Sequence, residues 1–422
     1  MSLRPPSPAP STYAERIRTL RSPGGIAAWL IEDQTRPVLT CAFDFRGGAR
    51  LDPKDAAGTT RMLGALLTEG AGELDGTAFH EALGDGAIRL GTSVGLDGLQ
   101  GSLRCLVRTA ADAFTLLGLA LREPTLAPDA VEQARVAITA QIRSAGGRPE
   151  ELARQAFMAR GFRGHAYARP VPGDLASVAR IGEADLRAVQ ARLLTRDNLH
   201  IAVVGAITAD ALGPLLDRAF ADLPGGAAPP VARTDLGGLG EQVRTDHAAP
   251  QSAIVFGRPA LPRDDPDFAA AIVANHCFGG GGLTSRLFRE LREKSGLCYA
   301  VGTSVAPFRG ASTLIGSTRT GTDRVPEMID RLQGEIRRLT GTGLEAAEFE
   351  AAKSYLIGSH DMGLASSSAL VGALLMLQVE ARQPGWLDAW PAMIAAVGAA
   401  EVDRAIGRVF GDGALLVSVA GP

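Results

Sequence analysis

The chain has 422 residues, of which 46% are apolar and 21% charged, with a net charge of −3 and a pI of about 6.1. This length exceeds one hydrophobic core, and the composition is typical of a globular protein with two or three domains. The charge gives no case for nucleic-acid binding, and an aromatic content of 5% argues against stacking platforms for single strands. Four cysteines, never spaced as Cys-x-x-Cys, exclude the common zinc-ribbon and thioredoxin patterns.

The N-terminal residues bear on the compartment. No apolar run approaches the roughly 18 residues that span a membrane, and no signal peptide is recognisable. Residues 1–3 resemble a cloning remnant, and the Pro/Ser-rich residues 4–11 are typical of the region between a removed signal and a mature domain. We therefore expect a periplasmic protein, with the cytoplasm as the alternative.

Apolar periodicity and turn residues predict the elements of the first half. The predicted strands are 26–32 and 38–46, paired around a polar turn, then 87–96 and 99–107, paired through Asp97-Gly98, and 199–204. The predicted helices are 58–68, 77–83, 109–122, 128–144, 150–162, 181–194 and 210–223. A Gly-, Pro- and Ala-rich segment at 224–240 then indicates a boundary. The predicted domains are 13–223 and 245–422, joined by a linker at 224–244.

The second half is predicted to begin with a strand at 252–256 and a helix starting at Asp265-Pro266, with the aspartate as N-cap. That helix leads into four consecutive glycines, whose backbone can approach a ligand closely because they carry no Cβ. These glycines are Gly279, Gly280, Gly281 and Gly282. Because Gly-Lys-Ser/Thr does not follow, the sequence disfavours a phosphate-binding P-loop.

A second helix and a strand follow the glycines. Three leucines spaced four apart predict one apolar helix face: Leu283, Leu287 and Leu291. Gly296 ends this helix, and residues 297–301 are predicted to form a strand. Arg292 in the last helical turn and Tyr299 in the strand flank a tight corner, so both side chains could reach the same side. Alternatively, the arginine complements the helix dipole and the tyrosine fills an ordinary strand face.

An internal repeat relates the two halves. Residues 91–94 (GTSV) recur at 302–305, an offset of 211 residues, and 126–135 (LAPDAVEQAR) resemble 344–353 (LEAAEFEAAK) at an offset of 218. One loop insertion accounts for the difference. The simplest fold is α+β: two homologous α+β domains, each an antiparallel-rich sheet packed with helices.

The segment 285–301 (SRLFRELREKSGLCYAV) strongly resembles the second domain of the pitrilysin-like (M16) zinc peptidases, which include mitochondrial processing peptidase and its bacterial heterodimeric relatives. The resemblance extends over nearly the whole chain, from about residue 13. It implies a clam-like closure of the two domains. By resemblance, Arg292 and Tyr299 project toward a zinc site and stabilise the substrate oxyanion, and Gly279–Gly282 occupies the place of the family's glycine-rich substrate loop.

The family's zinc motif is degenerate in this chain. The motif is an inverted His-x-x-Glu-His on the first long helix, with a glutamate on a later helix as third ligand. Alignment on the 58–70 helix places Arg61, Gly64 and Ala65 at the motif positions and Gln141 at the third ligand. Arginine, glycine and alanine cannot bind zinc, and glutamine is a poor ligand. His80-Glu81 lacks a second histidine one turn away, so we expect no metal on this chain.

The resemblance therefore implies a non-catalytic subunit of a heterodimeric zinc endopeptidase, inactive alone. Its expected partners are a zinc-bearing homologue and a peptide or unfolded substrate, and a homodimer of the isolated chain is left open. The alternative is a structural or peptide-holding scaffold, like the inactive relatives in respiratory complexes. Retention of both Arg292 and Tyr299 favours the first hypothesis. An active homodimeric peptidase is disfavoured by the four replaced motif residues.

Overall fold

A computed structural model describes residues 12–227 and 230–422, so residues 1–3 and the whole Pro/Ser-rich segment 4–11 lie outside the described residues. The strands are Ile17–Arg21 (β1), Ala27–Glu32 (β2), Val38–Arg46 (β3), Gly70–Ala71 (β4), Leu74–Asp75 (β5), Arg89–Val94 (β6), Gly98–Leu106 (β7), Leu199–Gly205 (β8), Gln242–Asp246 (β9), Ser252–Pro259 (β10), Val301–Pro307 (β11), Ser312–Thr320 (β12) and Leu416–Gly421 (β13).

Helices cover both large sheets. They are Tyr13–Arg16 (α1), Thr59–Leu66 (α2), Gly76–Asp85 (α3), Ala110–Arg122 (α4), Pro128–Gly146 (α5), Pro149–Gly161 (α6), Leu175–Arg180 (α7), Glu183–Leu193 (α8), Ala209–Phe220 (α9), Phe268–Asn275 (α10), Val325–Thr342 (α11), Ala346–Gly363 (α12), Ser367–Val379 (α13), Trp386–Ala396 (α14) and Ala399–Phe410 (α15). Among the described residues, no single helix is long and apolar enough to cross a membrane, although the pair α12 and α13, bent by 110°, passes that test jointly.

Apart from β1, an extra edge strand of the first sheet, the two large sheets share one topology, which confirms the predicted pair of homologous α+β halves. The first has the order β1-β2-β8-β3-β7-β6, and the second has β9-β13-β10-β12-β11. Each contains one parallel pair, β2 with β8 and β9 with β13, among antiparallel neighbours. The helix pairs follow the predicted offset, since α5 and α12, like α6 and α13, begin 218 residues apart.

Several predicted details of these elements were wrong. The strands at 26–32 and 38–46 do not pair with each other, because β8 lies between β2 and β3. The linker predicted at 224–244 ends earlier, since β9 begins at Gln242 and pairs with β13. The helix predicted from Asp265-Pro266 begins at Phe268, and the Asp265 carboxylate instead accepts a hydrogen bond from the Asp267 amide at 2.9 Å.

Each half lends one helix to the sheet of the other. The first sheet packs one face on its own helices and the other on α13, whose buried residues include Leu370, Leu374 and Leu377. The second sheet is covered in the same way by α6, through Phe157 and Met158. The interface between the halves is therefore a pair of apolar layers that belong to both halves at once.

A polar contact completes this interface, and we call it the clasp: Asp44, Asp97, Tyr167, Arg309 and Gly310. It joins the β6–β7 turn of the first half to the equivalent β11–β12 turn of the second. The Tyr167 hydroxyl donates to Asp97 at 2.8 Å and accepts from the Gly310 amide at 2.9 Å, while the Arg309 amide donates to Asp97 at 2.9 Å. The Arg309 guanidinium lies 3.7 Å from the Asp44 carboxylate.

Burial governs the charges of the clasp. Asp44 is 2% exposed, and burial raises its pKa to about 6 although Arg309 opposes the shift. Burial, together with Arg46 and Arg309, lowers the pKa of the neighbouring His200 to about 4. Asp44 Oδ2, His200 Nε2 and Arg309 Nη2 make no hydrogen bond to any residue in the described part of the chain. The clasp is thus a partly satisfied polar cluster within an otherwise apolar interface.

Candidate functional site

The four glycines form a tight turn packed largely against the chain itself. Helix α10 continues as a π-helical turn, His276–Gly280, and a 3₁₀ turn follows at Gly282–Thr284. A Cβ on Gly279 would lie 2.5 Å from Thr303 Oγ1, and one on Gly281 would lie 2.8 Å from the His276 carbonyl. Only Gly282 has open space around it and a positive φ, of 60°. Close packing therefore explains most of these glycines, and Gly282 is the position most accessible to a ligand.

The helix after the turn has an unusual geometry. Residues 286–287 are α-helical, and Phe288–Lys294 is π-helical, a form often found at functional sites. Leu287 and Leu291 are buried as predicted, but Leu283 is 71% exposed because it lies in the 3₁₀ turn before the helix begins. The predicted single face of three leucines was therefore wrong at Leu283.

Arg292 and Tyr299 come together at the corner after this helix. Arg292 Nε donates to the Tyr299 carbonyl at 3.1 Å, and the guanidinium carbon lies 5.5 Å from the centre of the Tyr299 ring. It also lies 5.2 Å from the Phe288 ring. Tyr299 is not in a strand, since β11 begins at Val301, and its side chain is 81% exposed. The strand predicted at 297–301 was wrong because the chain first makes an open bend.

This pair can donate hydrogen bonds to a ligand. In the described part of the chain, no carboxylate lies within ion-pair distance of Arg292 (ion pairs of the region involve Arg286, Arg289 and Lys294). The Nη groups of Arg292 and the exposed phenol of Tyr299 are donors at one surface. A cation and a neutral donor side by side suit a carbonyl oxygen that gains negative charge. The same contacts also hold the corner of the chain together.

The four positions that the sequence aligns with the family's zinc motif lie on two packed helices, α2 and α5. Arg61 and Ala65 are half-buried, Gly64 is buried and Gln141 is exposed. A Cβ on Gly64 would lie 2.9 Å from Val94 Cγ2, and the Gly64 carbonyl accepts a hydrogen bond from Thr92 at 2.6 Å. A glutamate at this position would require Val94 on β6 to move. No group of three or more potential metal ligands occurs among residues 12–227 and 230–422.

An acidic cleft of about 880 Å³ lies on the first half, apart from the predicted site residues. Its lining includes five carboxylates and one histidine: Glu69, Glu73, Asp75, Glu81, Asp129 and His80. His80 Nδ1 lies 2.8 Å from the Gly76 carbonyl, so this ring nitrogen contacts the backbone of its own helix. Neither Arg292 nor Tyr299 lines this cleft. We therefore do not assign the proposed chemistry to it, despite its size.

Sequence reasoning missed one pair beside the glycine turn. Arg286, 5% exposed, is held by Glu348 of α12 through contacts of 2.8 to 3.0 Å. The sequence could have indicated this pair, because Arg286 lies between Ser285 and Leu287 in a buried segment, and a buried charge needs a partner. Its partner, 62 residues away, could not be identified from spacing.

The sequence of this chain is similar to those of known M16 proteins. The family model of the peptidase M16 inactive domain matches residues 180–356. A non-peptidase homolog, YmxG, from Helicobacter pylori is 24% identical over 78% of this chain and 77% of its own length. An uncharacterized zinc protease of Mycobacterium leprae is 28% identical over 59% of this chain, a match that spans only 56% of that relative.

The fold has a close counterpart among solved structures. The crystal structure of a peptidase M16 inactive domain from Pseudomonas fluorescens superposes with a TM-score of 0.90 at 24% sequence identity. The superposition covers 96% of this chain and 98% of that one. At this level of identity the likeness concerns the fold. The shared architecture therefore extends over both halves of the chain.

Proposed function

We infer that the chain is a member of the M16 peptidase family, similar to its inactive members, and we propose that it is the zinc-less subunit of a heterodimeric zinc endopeptidase. The zinc and its activated water would belong to a homologous partner chain. This chain would supply Arg292 and Tyr299 to that partner's site and help to bind a peptide or unfolded substrate. Alone, it would not hydrolyse peptides. We propose the periplasm as its compartment.

The observation that carries this proposal is the Arg292–Tyr299 pair. The tyrosine is 81% exposed, and no carboxylate in the described residues neutralises the arginine. Exposing a phenol and an unpaired guanidinium side by side does nothing for a hydrophobic core. Both donors fit a reacting group brought by another molecule. The exposed Gly282 adjoins the helix that bears the arginine, so a peptide backbone could approach there.

Mechanistically, the pair would act on developing charge. Hydrolysis of a peptide bond would place negative charge on the substrate carbonyl oxygen, and the partner's zinc would supply the activated water for it. A guanidinium and a phenol aimed at that oxygen stabilise the transition state more than the ground state, which raises turnover. Losing one such donor typically lowers turnover by roughly a hundred- to a thousandfold. The zinc chemistry would remain entirely that of the partner.

A scaffold without a catalytic role is the second candidate, and one contact favours it. Arg292 Nε donates to the Tyr299 carbonyl, so the arginine also fixes the corner between the helix and β11. On this reading the pair is structural. Substitution would then lower stability by about 1–2 kcal/mol and leave turnover of any complex unchanged.

Reconstitution with a zinc-bearing homologue separates the two candidates. Tyr299→Phe removes only the hydroxyl and should lower turnover of the pair while complex formation and melting temperature stay near wild type. Arg292→Ala should lower turnover as well, with weaker substrate binding. Tyr355→Phe is the matched control, because Tyr355 is also exposed, at 62%, on the same half. Wild-type turnover for Tyr299→Phe would establish the scaffold instead.

A further inference from the structure

A buried ion pair lies at the start of the helix that bears Arg292. The guanidinium of Arg286 donates from Nε to both oxygens of Glu348, at 3.0 and 2.9 Å, and from Nη2 to Oε2 at 2.8 Å. The two side chains are only 6% and 12% exposed. Such a forked contact fixes the orientation of both side chains more strictly than a single charge contact does. The pair therefore fixes the geometry of the helix start by several short, buried hydrogen bonds.

The position of this pair connects the glycine turn to Arg292. The helix that carries Arg292 begins at Arg286, four residues after Gly282. The hydroxyl of the preceding residue, Ser285, donates to the Gly282 carbonyl at 2.8 Å. Arg286 Nη2 also donates to the Gly343 carbonyl at 2.8 Å. Rotation or sliding of the helix would break all of these bonds together.

The partner carboxylate comes from a separate element. Glu348 lies in the first turn of α12, where the helix dipole favours a negative charge. Its own carbonyl accepts a weak bond from Cys277 in the π-helical turn before the glycines, at 3.7 Å. Glu348 therefore contacts both sides of the glycine turn, the segment before it and the helix after it.

The far end of the helix is held by a second set of contacts. Arg324 donates to the Gly296 carbonyl at 3.0 Å, and the Ser295 hydroxyl donates to the Glu290 carbonyl at 2.6 Å. These bonds fix the end of the helix near Arg292, and the Glu348 contact fixes its beginning. A π-helical segment has a rare register, which persists only where its surroundings hold it.

We propose that Arg286 and Glu348 are positioning residues for the composite site: their ion pair holds the π-helical register that stacks the Arg292 guanidinium on Tyr299. This inference rests on the proposed function, because it assigns the pair a role in catalysis by the complex. Neither side chain touches substrate. Loss of the pair releases the beginning of the helix while its end stays fixed, so the π-helical register between the two ends shifts and the Arg292 guanidinium moves relative to the Tyr299 ring.

The structural part can be tested on the isolated chain. The sequence contains four tyrosines, so 3-fluorotyrosine labelling gives four fluorine signals, and Tyr299→Phe identifies one of them. Glu348→Gln keeps the size of the side chain and removes its charge. It should shift or broaden the Tyr299 signal and leave the Tyr13 signal unchanged. An unmoved Tyr299 signal would overturn the proposal, whatever the partner chain does.

The catalytic part needs the reconstituted complex. Glu348→Gln should lower kcat by about tenfold or more with little change in KM, because the arginine is displaced and not removed. In an Arg292→Ala background it should cause no further loss, since a positioning residue acts only through the residue it positions. Glu348→Asp, which keeps the charge, should recover part of the rate, and it replaces Glu348→Gln if that variant does not fold.

A matched control separates positioning from general stability. Glu183→Gln removes an exposed ion pair with Arg187, at 3.4 Å on α8 of the first half, and should leave both kcat and the Tyr299 signal unchanged. Multiplicative losses from Glu348→Gln and Arg292→Ala would overturn the positioning role. If Arg292→Ala itself has full turnover, the proposed function fails, and the fluorine measurement still decides whether the ion pair holds Arg292.

Discussion

Replacing Arg309 by glutamine tests what the clasp contributes to the union of the two halves. Arg309 reaches across the interface to Asp44, whose carboxylate is almost completely buried. Removing one partner of a buried ion pair usually costs about 3–5 kcal/mol, because the other charge is left uncompensated. Here we expect a smaller loss, since Asp44 has another way to lose its charge.

The magnitude follows from the titration of Asp44. Its pKa is raised from 3.8 to about 6, so at pH 7 the charged form already costs about 3 kcal/mol relative to the unfolded chain. Keeping the carboxyl protonated at pH 7 would cost about 4.4 kcal/mol. Without Arg309, Asp44 takes up a proton as soon as the protonated carboxyl costs less free energy in the folded protein than the charged carboxylate does. The loss transmitted through Asp44 is therefore limited to about 1.4 kcal/mol at pH 7, and the limit rises by about 1.4 kcal/mol per pH unit.

Urea unfolding at pH 7 and pH 8 measures this loss. Arg309→Gln should destabilise the protein by about 1–2 kcal/mol at pH 7 and by more at pH 8, and Asp44→Asn should abolish the pH dependence of that loss. The control is Arg319→Gln, which removes an exposed ion pair between the halves, with Glu150 at 2.8 Å. That variant should change stability by less than about 0.5 kcal/mol. Equal effects of both substitutions would refute the reasoning.

Two further predictions concern the first half. The pKa values of His200 and Asp44 are shifted in opposite directions, to about 4 and about 6. Acidification from pH 6.5 to pH 4 should therefore destabilise the protein through His200 and stabilise it through Asp44. In urea titrations Asp44→Asn should make the acid loss larger, and His200→Gln should make it smaller, each by about 2–3 kcal/mol. Arg61→His, Ala65→His and Gln141→Glu together should create a site that binds one zinc, measured by elemental analysis against wild type. Adding Gly64→Glu should weaken folding, because its Cβ lies 2.9 Å from Val94; unchanged melting temperatures would contradict this.

Local chemistry explains which parts of the fold were predictable. Asp97-Gly98 between alternating apolar segments predicted a hairpin, and the register Val94 to Leu99 confirms it. The duplicated sequence predicted two halves, and their sheets have the same order. Each of these signals lies within a short stretch of chain or within a comparison of the chain with itself.

Contacts between distant residues were not predictable. Strand β8 lies between β2 and β3 although it begins about 160 residues after the start of β3. No residue near β2 or β3 indicates this insertion. The helical pattern at 283–291 predicted an apolar face, but a 3₁₀ turn and a π-helix rotate Leu283 into solvent. At the site, Arg292 and Tyr299 were predicted to meet, because only seven residues separate them. Arg286 and Glu348, and likewise Asp44 and Arg309, meet only through the tertiary fold.

The exchanged helices determine how the whole chain unfolds. The buried aliphatic residues of α13 pack on the first sheet, and Phe157 and Met158 of α6 pack on the second. Each fully buried side chain of this kind contributes about 1.5–3 kcal/mol, so separating the halves would expose well over 10 kcal/mol of apolar contact. That exceeds or equals the entire stability of a typical domain, about 5–15 kcal/mol. Neither half should therefore persist alone, and calorimetry should show a single transition with equal calorimetric and van't Hoff enthalpies. Two resolved transitions would mean that each half retains its own core when the partner helix leaves.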